Sequence, residues 1–589
     1  MKHLSFLFSI LLFAAWQKPV TSSWQSKIDP SIVSSLQSEN SVEFIVLMKE
    51  QADLTGARFL RSKAAKGSLV FNALRQKAKD SQKGARAILE RSGGSFRSYL
   101  VVNAIYAKGG LALIEELAQL PEVAQIQPNP WVKLDEPEYR GNHQGNARSL
   151  TWGLSKTGAD QVWDLGYRGQ GVVVAGQDTG TEWEHPSIKD KYRGWDGNSA
   201  NHNYNWHDAI REINSLHNDD TILASNNPCG LNSIVPCDDH SHGTHITGTM
   251  VGDDGQGNQI GLAPASKWIA CRNMERGWGS PASYIECFEF FLAPTNLEGN
   301  NPDPNRAPHV INNSWGCPPV EGCNEGNFAT METVVNNLKA AGIVVVVSAG
   351  NSGNGGCGSL DSPAAIFENS FVVGAVRSND TIANFSSRGV VTVDGSLRIK
   401  PDVSAPGVGV RSAVRGGGYA TWNGTSMAGP HVAGLVALII SANPALAGQV
   451  ETIEQIIEET ADPAYSRHTC GDIAPDEFPN PITGYGQINA MVAVQKALTI
   501  SSDDEPLAGQ QLHVFPNPTA DKLTFDMDTL QGAVQLQWFN GAGQHVRNEN
   551  WESVPGLFKT VDISVFAKGI YWYRIAVAGQ IFSGKVVKD

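Results

Sequence analysis

The sequence predicts an α/β protein: a parallel sheet with helices on both faces, preceded by a small α+β module and followed by a small β-sandwich. Three observations predict it. From 151 to 500, continuous apolar runs alternate with helical stretches, and strands apolar on both sides belong to a sheet covered on both faces. Residues 41–134 mix strand and helix patterns on a shorter scale, whereas 511–589 shows short alternating strands broken by turn residues such as Asn540-Gly541-Ala542-Gly543. The chain has 589 residues, more than one hydrophobic core can serve, so several domains are expected.

Each element follows in order. Met1-Lys2-His3 and the apolar run 4–16 form a charged end and a core too short to span a membrane comfortably. Residues 1–22 therefore read as a secretory signal, with Val20-Thr21-Ser22 supplying small residues for cleavage. A buried N-terminal helix is the alternative, and the switch to Gln17-Lys18-Pro19 disfavours it. Residues 41–48 are strand-like, 57–92 is a long Ala/Lys/Arg-rich helical stretch, 99–107 is β-rich, 111–120 helical and 123–132 a final strand, giving a first module over 23–140. Residues 135–150 are polar without an apolar period and read as an exposed connection. The large domain, 146–500, carries buried-type strands at 171–177, 268–271, 310–313, 343–348 and 371–376. A polar linker, 501–510, leads to the sandwich at 511–589.

Composition narrows the class. Apolar residues make up 41% and charged residues 18%, which excludes a disordered chain, and a net charge of −14 argues against a nucleic-acid partner. No interior run of 18 apolar residues exists, so no membrane span is expected once the signal is removed. Residues 24–148 hold 17 Lys and Arg against 13 Asp and Glu, net +4, and the first 23 residues add two, leaving −20 for the rest. That asymmetry fits two pieces that attract, or ordinary variation between solvated faces. All eight cysteines lie within 229–470, an even number in an exported chain, which suggests disulfides. Short gaps favour Cys229 with Cys237 and Cys317 with Cys323, then Cys271 with Cys287, and the connectivity stays open. No C-x-x-C pair supports zinc.

Three motifs carry chemistry. The strand beginning at Gly171 runs into Asp178-Thr179-Gly180, at the strand end where α/β proteins place ligands; alone, Asp178 reads as a turn former. Asp238-Asp239-His240-Ser241-His242-Gly243-Thr244-His245 puts a histidine at a helix start, followed by small residues that permit tight packing. Its spacing differs from the i, i+4 histidine pair of H-E-x-x-H zinc helices. In Asn423-Gly424-Thr425-Ser426-Met427-Ala428-Gly429-Pro430-His431, Ser426 enters a helix whose Gly/Ala series gives one slim face, with Pro430 expected in its first turn. A serine there has helix N–H groups at hand for a developing oxyanion, or is simply an N-cap.

Together these segments, in the order Asp…His…Ser, resemble the subtilisin-like serine proteases. The likeness runs from Trp152 to near Ala497 and includes S-W-G at 314–316, S-A-G-N at 348–351, F-S-S-R-G at 385–389, K-P-D-V-S-A-P-G at 400–407 and G-T-S-M-A-G-P-H at 424–431. W-I-A-C-R-N-M at 268–274 and Y-I-E-C-F-E-F-F-L-A-P-T at 284–295 resemble the bacillopeptidase F-like branch. The resemblance implies a subtilisin-like sheet and a secreted endopeptidase acting on proteins or peptides. Ser426 would be its nucleophile, His242 its base, Asp178 the orienting carboxylate and Asn351 the oxyanion donor alongside the Ser426 N–H. Ser314, Trp315 and Gly316 would bind substrate backbone, and His240, His245 and His431 would be structural. Calcium-binding relatives carry an Asp after the His-Pro that follows the catalytic Asp; here His185-Pro186 precedes Ser187, so no metal and no cofactor is expected.

The flanks resemble accessory parts of such enzymes. The first module, by position, is similar to an inhibitor-type propeptide, which would make this chain a zymogen with its own intramolecular inhibitor. Val514-Phe515-Pro516-Asn517-Pro518, Gly569-Ile570-Tyr571-Trp572-Tyr573 and Lys585-Val586-Val587-Lys588 resemble the C-terminal sorting domain of type IX secretion cargo. That implies the secretion machinery as partner and a secreted or cell-surface location. The rival readings are a silent subtilase-fold binding protein and a metal-dependent hydrolase.

Overall fold

The computed structural model describes residues 24–142, 150–214, 216, 227–500, 512, 514–527, 530–540, 544–554, 556–577 and 580–588. The expected signal and linker lie outside the described residues.

The first module is built on strands β1 (Val42–Met48), β2 (Phe96–Tyr99), β3 (Ala104–Gly109) and β4 (Val123–Pro128), all antiparallel in the order β2-β3-β1-β4. The helical stretch expected over 57–92 is two helices, α1 (Lys63–Ser81) and α2 (Lys83–Ser92). They part at Gln82, whose side chain turns inward to donate to the Tyr99 carbonyl and to Asn103 Oδ1, both at 2.9 Å. Helix α3 (Leu111–Ala118) completes a β-α-β-β-α-β plan. The unbroken apolar run in β1 reflects burial of both faces. Phe44, Val46 and Met48 meet α2 and α3 side chains such as Ile88 and Leu117, while Ile45 points the other way into a core shared with the large domain.

The large domain holds seven parallel strands: β5 (Val173–Asp178), β6 (Trp206–Asp208), β7 (Lys267–Arg272), β8 (Val310–Asn313), β9 (Val344–Ser348), β10 (Phe371–Val376) and β11 (Val403–Pro406). Their order is β11-β10-β9-β8-β5-β7-β6, so the winding direction reverses between β5 and β8. The crevice at the carboxyl ends of that pair is where such sheets place ligands. Helices α4 (His242–Val251) and α7 (Thr425–Ala442) pack on one face; α5 (Pro281–Leu292) and α6 (Glu325–Ala340) lie on the other. Among the described residues α7 alone is long and apolar enough to cross a membrane, but it is 89% buried and serves as the core helix.

Close packing explains the glycines. A β-carbon on Gly429 would sit 2.7 Å from Asn312 Oδ1, and one on Gly434 would sit 2.6 Å from the Leu262 β-carbon. Pro430 falls in the second turn of α7 rather than the first, because the helix already starts at Thr425. It thereby removes the donor that the Ser426 carbonyl would meet, and burial of the surrounding helix outweighs that lost bond.

Residues 138–142, expected in an exposed connection, form a strand instead. Glu138–Asn142 pairs antiparallel with Gly418–Asn423 at the edge of the large domain. Backbone pairing needs no apolar period, so the polar composition hid it.

The tail is a sandwich of two antiparallel sheets. One orders Val514–Phe515, Lys522–Asp526 and Phe558–Asp562; the other orders His545–Ser553, Gly532–Asn540, Gly569–Val577 and Gln580–Lys588. Tyr571 and Tyr573 enter its core while Trp572 between them is exposed. Four disulfides, Cys229–Cys237, Cys271–Cys287, Cys317–Cys323 and Cys357–Cys470, all lie in the large domain. The last closes 113 residues of chain and was beyond reach of a short-gap argument.

Candidate active site

Asp178 ends β5, and the chain turns at once through Gly180, whose φ of +101° suits only glycine. Gly243 lies so close to the Gly180 carbonyl and to Asp178 that any side chain there would collide. This contact presses the start of α4 against the end of β5. His242, the first residue of α4, consequently meets Asp178, with Nδ1 2.8 Å from Oδ1. Both side chains are buried, and the same Asp178 oxygen accepts the Thr179 N–H at 2.8 Å. With Nδ1 facing the carboxylate, Nε2 is the open nitrogen, and it makes no hydrogen bond within the described structure. Trp422 stacks near the ring, 6.3 Å between centroids and 17° between planes.

Asp238, which motif reading passed over, holds this corner. Its carboxylate accepts the N–H groups of His240 and Ser241 at 2.8 Å, the Thr244 N–H at 2.9 Å and Oγ1 at 2.6 Å, and Thr179 Oγ1 at 2.9 Å. Thr179 Oγ1 in turn receives the Gly243 N–H at 3.0 Å. One buried carboxylate thus serves the unsatisfied first turn of α4, where negative charge is favourable. Its signal was an Asp four residues before a helix-starting histidine.

Ser426 sits in the first turn of α7, packed beside α4. Asn351 follows β9, and its Oδ1 accepts the Thr425 N–H at 2.9 Å and Oγ1 at 3.1 Å. With the oxygen engaged, the amide NH₂ faces away from Thr425. Ser314 Oγ lies 3.1 Å from Ser348 Oγ, which donates to the Thr425 carbonyl at 3.1 Å, so Ser314 braces the same helix start. Trp315 is buried and stacks on Tyr284 at 3.9 Å, and Gly316 lies against Ser362. Residues 314–316 lie outside any strand.

His245 stacks on Trp422 at 4.5 Å and is pushed down to about 3 by burial; burial lowers His431 to about 4, with its Nδ1 2.9 Å from the Met427 carbonyl. Both are neutral scaffold groups. Ser187 is buried, its Oγ 2.6 Å from the Tyr419 hydroxyl.

The cleft is not open. Val132–Lys133 pairs antiparallel with Trp278–Gly279, and the Leu134 N–H donates to the Gly277 carbonyl at 2.7 Å. Asp135 Oδ2 accepts the Asn351 N–H at 3.0 Å, and Glu136 meets His240 at 3.4 Å. Beyond Pro137, Glu138 and Tyr139 pair with Asn423 and Trp422. Residues 278 and 279 carry no sign of a strand partner in sequence, because two residues have no periodicity.

A carboxylate-bound imidazole, a serine at a helix start and an asparagine amide beside it, at the carboxyl ends of a parallel sheet, define the class of serine peptidases. The chain belongs to the subtilase family, whose profile matches residues 169–486. It is 35% identical to bacillopeptidase F of Bacillus subtilis (strain 168) over 80% of this chain, while spanning only 32% of that protein. Subtilisin E of the same strain is 31% identical, with 62% of this chain and 78% of subtilisin E covered. The thermophilic serine proteinase of Bacillus sp. (strain AK1) is 30% identical over 58% of this chain and 70% of that protein. Residues 513–589 match the secretion system C-terminal sorting domain, which directs the protein by type IX secretion to the cell surface or beyond.

Proposed function

We propose that this protein is a secreted serine endopeptidase made as a zymogen, with residues 23–140 as its propeptide and intramolecular inhibitor. The observation that carries the reading is the passage of 132–139 across the cleft between Asn351, His242 and the Ser426 helix. It lies there as an extended peptide substrate would, held by backbone pairing.

In the reaction His242 Nε2 takes the Ser426 proton as Oγ attacks the peptide carbonyl. Asp178 keeps the proton on Nδ1 and stabilises the imidazolium. The Asn351 amide and the Ser426 N–H receive the oxyanion. Trp278 and Gly279 align substrate backbone on the acyl side. Ser314 supports the helix carrying the nucleophile, with Trp315 and Gly316 in the wall behind. Bacillopeptidase F and the thermophilic serine proteinase are peptidases by name, and their similarity supports this reaction. The bacillopeptidase F match, at 80% of the chain, is longer than the catalytic region alone, which supports an alignable leading module.

The test is a fluorophosphonate probe on purified protein, with and without a chelator. Labelling of Ser426 and chelator-insensitive peptide hydrolysis are expected. A folded protein that neither labels nor hydrolyses after removal of the leading module is a binding protein instead.

A further inference from the structure

The threaded segment has a register, and the register selects a bond. We infer that the zymogen cuts itself between Asp135 and Glu136, and that His240 selects an acidic residue directly after the cut. The inference rests on the zymogen reading above and deepens it.

The walls of the cleft take turns in holding the segment. Up to Leu134 the partners are Gly277, Trp278 and Gly279. From Glu138 onward the partners are Asn423 and Trp422, on the strand that leads into Ser426. The chain therefore changes walls between Leu134 and Glu138, and four bonds lie in that window; the last, Pro137–Glu138, would put its acyl residue two positions beyond Asp135, the residue held at Asn351. Asp135 is the residue beside Asn351, whose backbone N–H donates to its carboxylate at 3.0 Å and whose side-chain amide is the oxyanion donor. A cut at Leu134–Asp135 would move Asp135 to the leaving side, away from that donor. Glu136–Pro137 is a tertiary amide whose nitrogen carries a locked ring in place of a proton. Only Asp135–Glu136 makes Asp135 itself the acyl residue and frees an ordinary amine.

The side chains agree. Val132 and Leu134 are buried and Lys133 is exposed, the alternation of a strand lying in a groove with apolar pockets. Glu136 meets His240, whose ring lies beside Gly277 where the first wall ends. Burial works against a cation at His240, but Glu136, with Asp238 and Asp178 behind it, outweighs that and raises the imidazole above its usual value. His240 was expected to be structural; its Nε2 instead faces the substrate-like segment, while its backbone N–H serves Asp238.

The chemistry balances with the groups present and one water. Ser426 Oγ bonds to the Asp135 carbonyl carbon as its proton passes to His242. The bond to the Glu136 nitrogen breaks and that nitrogen takes the proton. Water then hydrolyses the ester, leaving a carboxylate at Asp135, a free amine at Glu136 and the Ser426 hydroxyl restored.

Full-length protein is refolded alone and the first fragment pair is read by intact mass, alongside casein hydrolysis. A C-terminal fragment beginning at Glu136 is expected. Two peptides reading Val-Lys-Leu-Asp, followed by Glu or by Gln, are then compared on wild type and His240→Gln. Wild type should favour the Glu peptide by about five- to tenfold in kcat/KM, the scale of one charge-assisted hydrogen bond. In His240→Gln the ratio should fall to about one. A first fragment beginning elsewhere, or a ratio unchanged by the substitution, overturns the inference. Absence of casein hydrolysis by the matured protein would instead refute the peptidase reading itself, so the two failures are separable.

Discussion

The leading module and the C-terminal sandwich are both small, β-rich appendages, yet they join the peptidase in opposite ways. The leading module closes a core of its own on one face of its sheet, between β1 and helices α2 and α3, and buries the other face against the peptidase. Val70, Leu74, Tyr99 and Val102 lie in one continuous apolar cluster with Phe288, Phe291, Val334 and Leu338 of helices α5 and α6. Polar contacts stitch the seam: Glu289 accepts the N–H groups of Leu100 and Val101, Asn337 donates to the Val101 carbonyl at 2.8 Å, and Lys66 donates to the Gly448 carbonyl at 2.7 Å. Glu286 is gripped by Arg97 from the module and by Arg211 from its own domain. The sandwich instead closes its core on itself, from Leu512 to Val586, and touches the leading module through Phe515, which stacks on Phe59 at 6.1 Å. Coupling follows the shared apolar surface. Charge asymmetry alone describes the seam poorly, since apolar burial dominates it and a like-charged pair, Glu43 and Glu212, meets there.

The largest effect should come from leaving the seam permanently closed. Ser426→Ala is expected to lose on the order of 10⁶ in turnover and to keep the leading module covalently attached, as read by activity and intact mass. Normal maturation of that variant would mean that another protease opens the seam.

Breaking the seam comes next. Tyr99 is buried and its hydroxyl donates to the Ala282 carbonyl at 3.0 Å. Tyr99→Ala should cost about 3–5 kcal/mol, so the cleaved module should be held roughly 10²–10⁴-fold more weakly, measured by retention of the fragment and residual inhibition. Circular dichroism of the fragment separates lost docking from lost folding. The point where the seam touches the chemistry is Asn351. Asn351→Leu should lower kcat by about 10²–10³ with KM little changed; a large KM rise at normal kcat would remove it from the oxyanion role.

Acid should sharpen the seam through Glu43. Burial first, then Glu212, pushes its carboxyl from 4.5 to about 7, against Asn129 and Lys108. The docked state therefore binds a proton that the free module releases. Docking through this group is strongest below 4.5, weakens as pH rises to about 7, and is flat above. Glu43→Gln imitates the protonated side chain. The ratio of wild-type to variant dissociation constants should thus be near one at about pH 4 and climb to a plateau above about pH 7. A pH-independent ratio would place the proton elsewhere.

The smallest effect on chemistry belongs to the tail. Truncation after Ser502 should leave peptide hydrolysis within about twofold, because little apolar surface joins the sandwich to the rest, while the truncated protein stays in the periplasm of a type IX-secreting host. Lost activity with normal export would show that the sandwich supports the protease.

Local pattern and motif determined much of this protein. Three separate periodicities gave three architectural parts, since whether a strand is buried on one face or two is written in its own side chains, as in β1 and β9. The strand end at Asp178 and the helix start at His242 were legible because such junctions need small neighbours, Gly180 and Gly243, which leave a signature in sequence. Tertiary structure decided what depends on distant partners. Asp238 gathers donors from two segments, Thr179 and 240–244, and Cys357 finds Cys470 across 113 residues. The polar stretch from Asp135 onward looked like an exposed connection because backbone hydrogen bonds carry no side-chain code. Only folding reveals that its neighbours on either side are the two walls of a cleft.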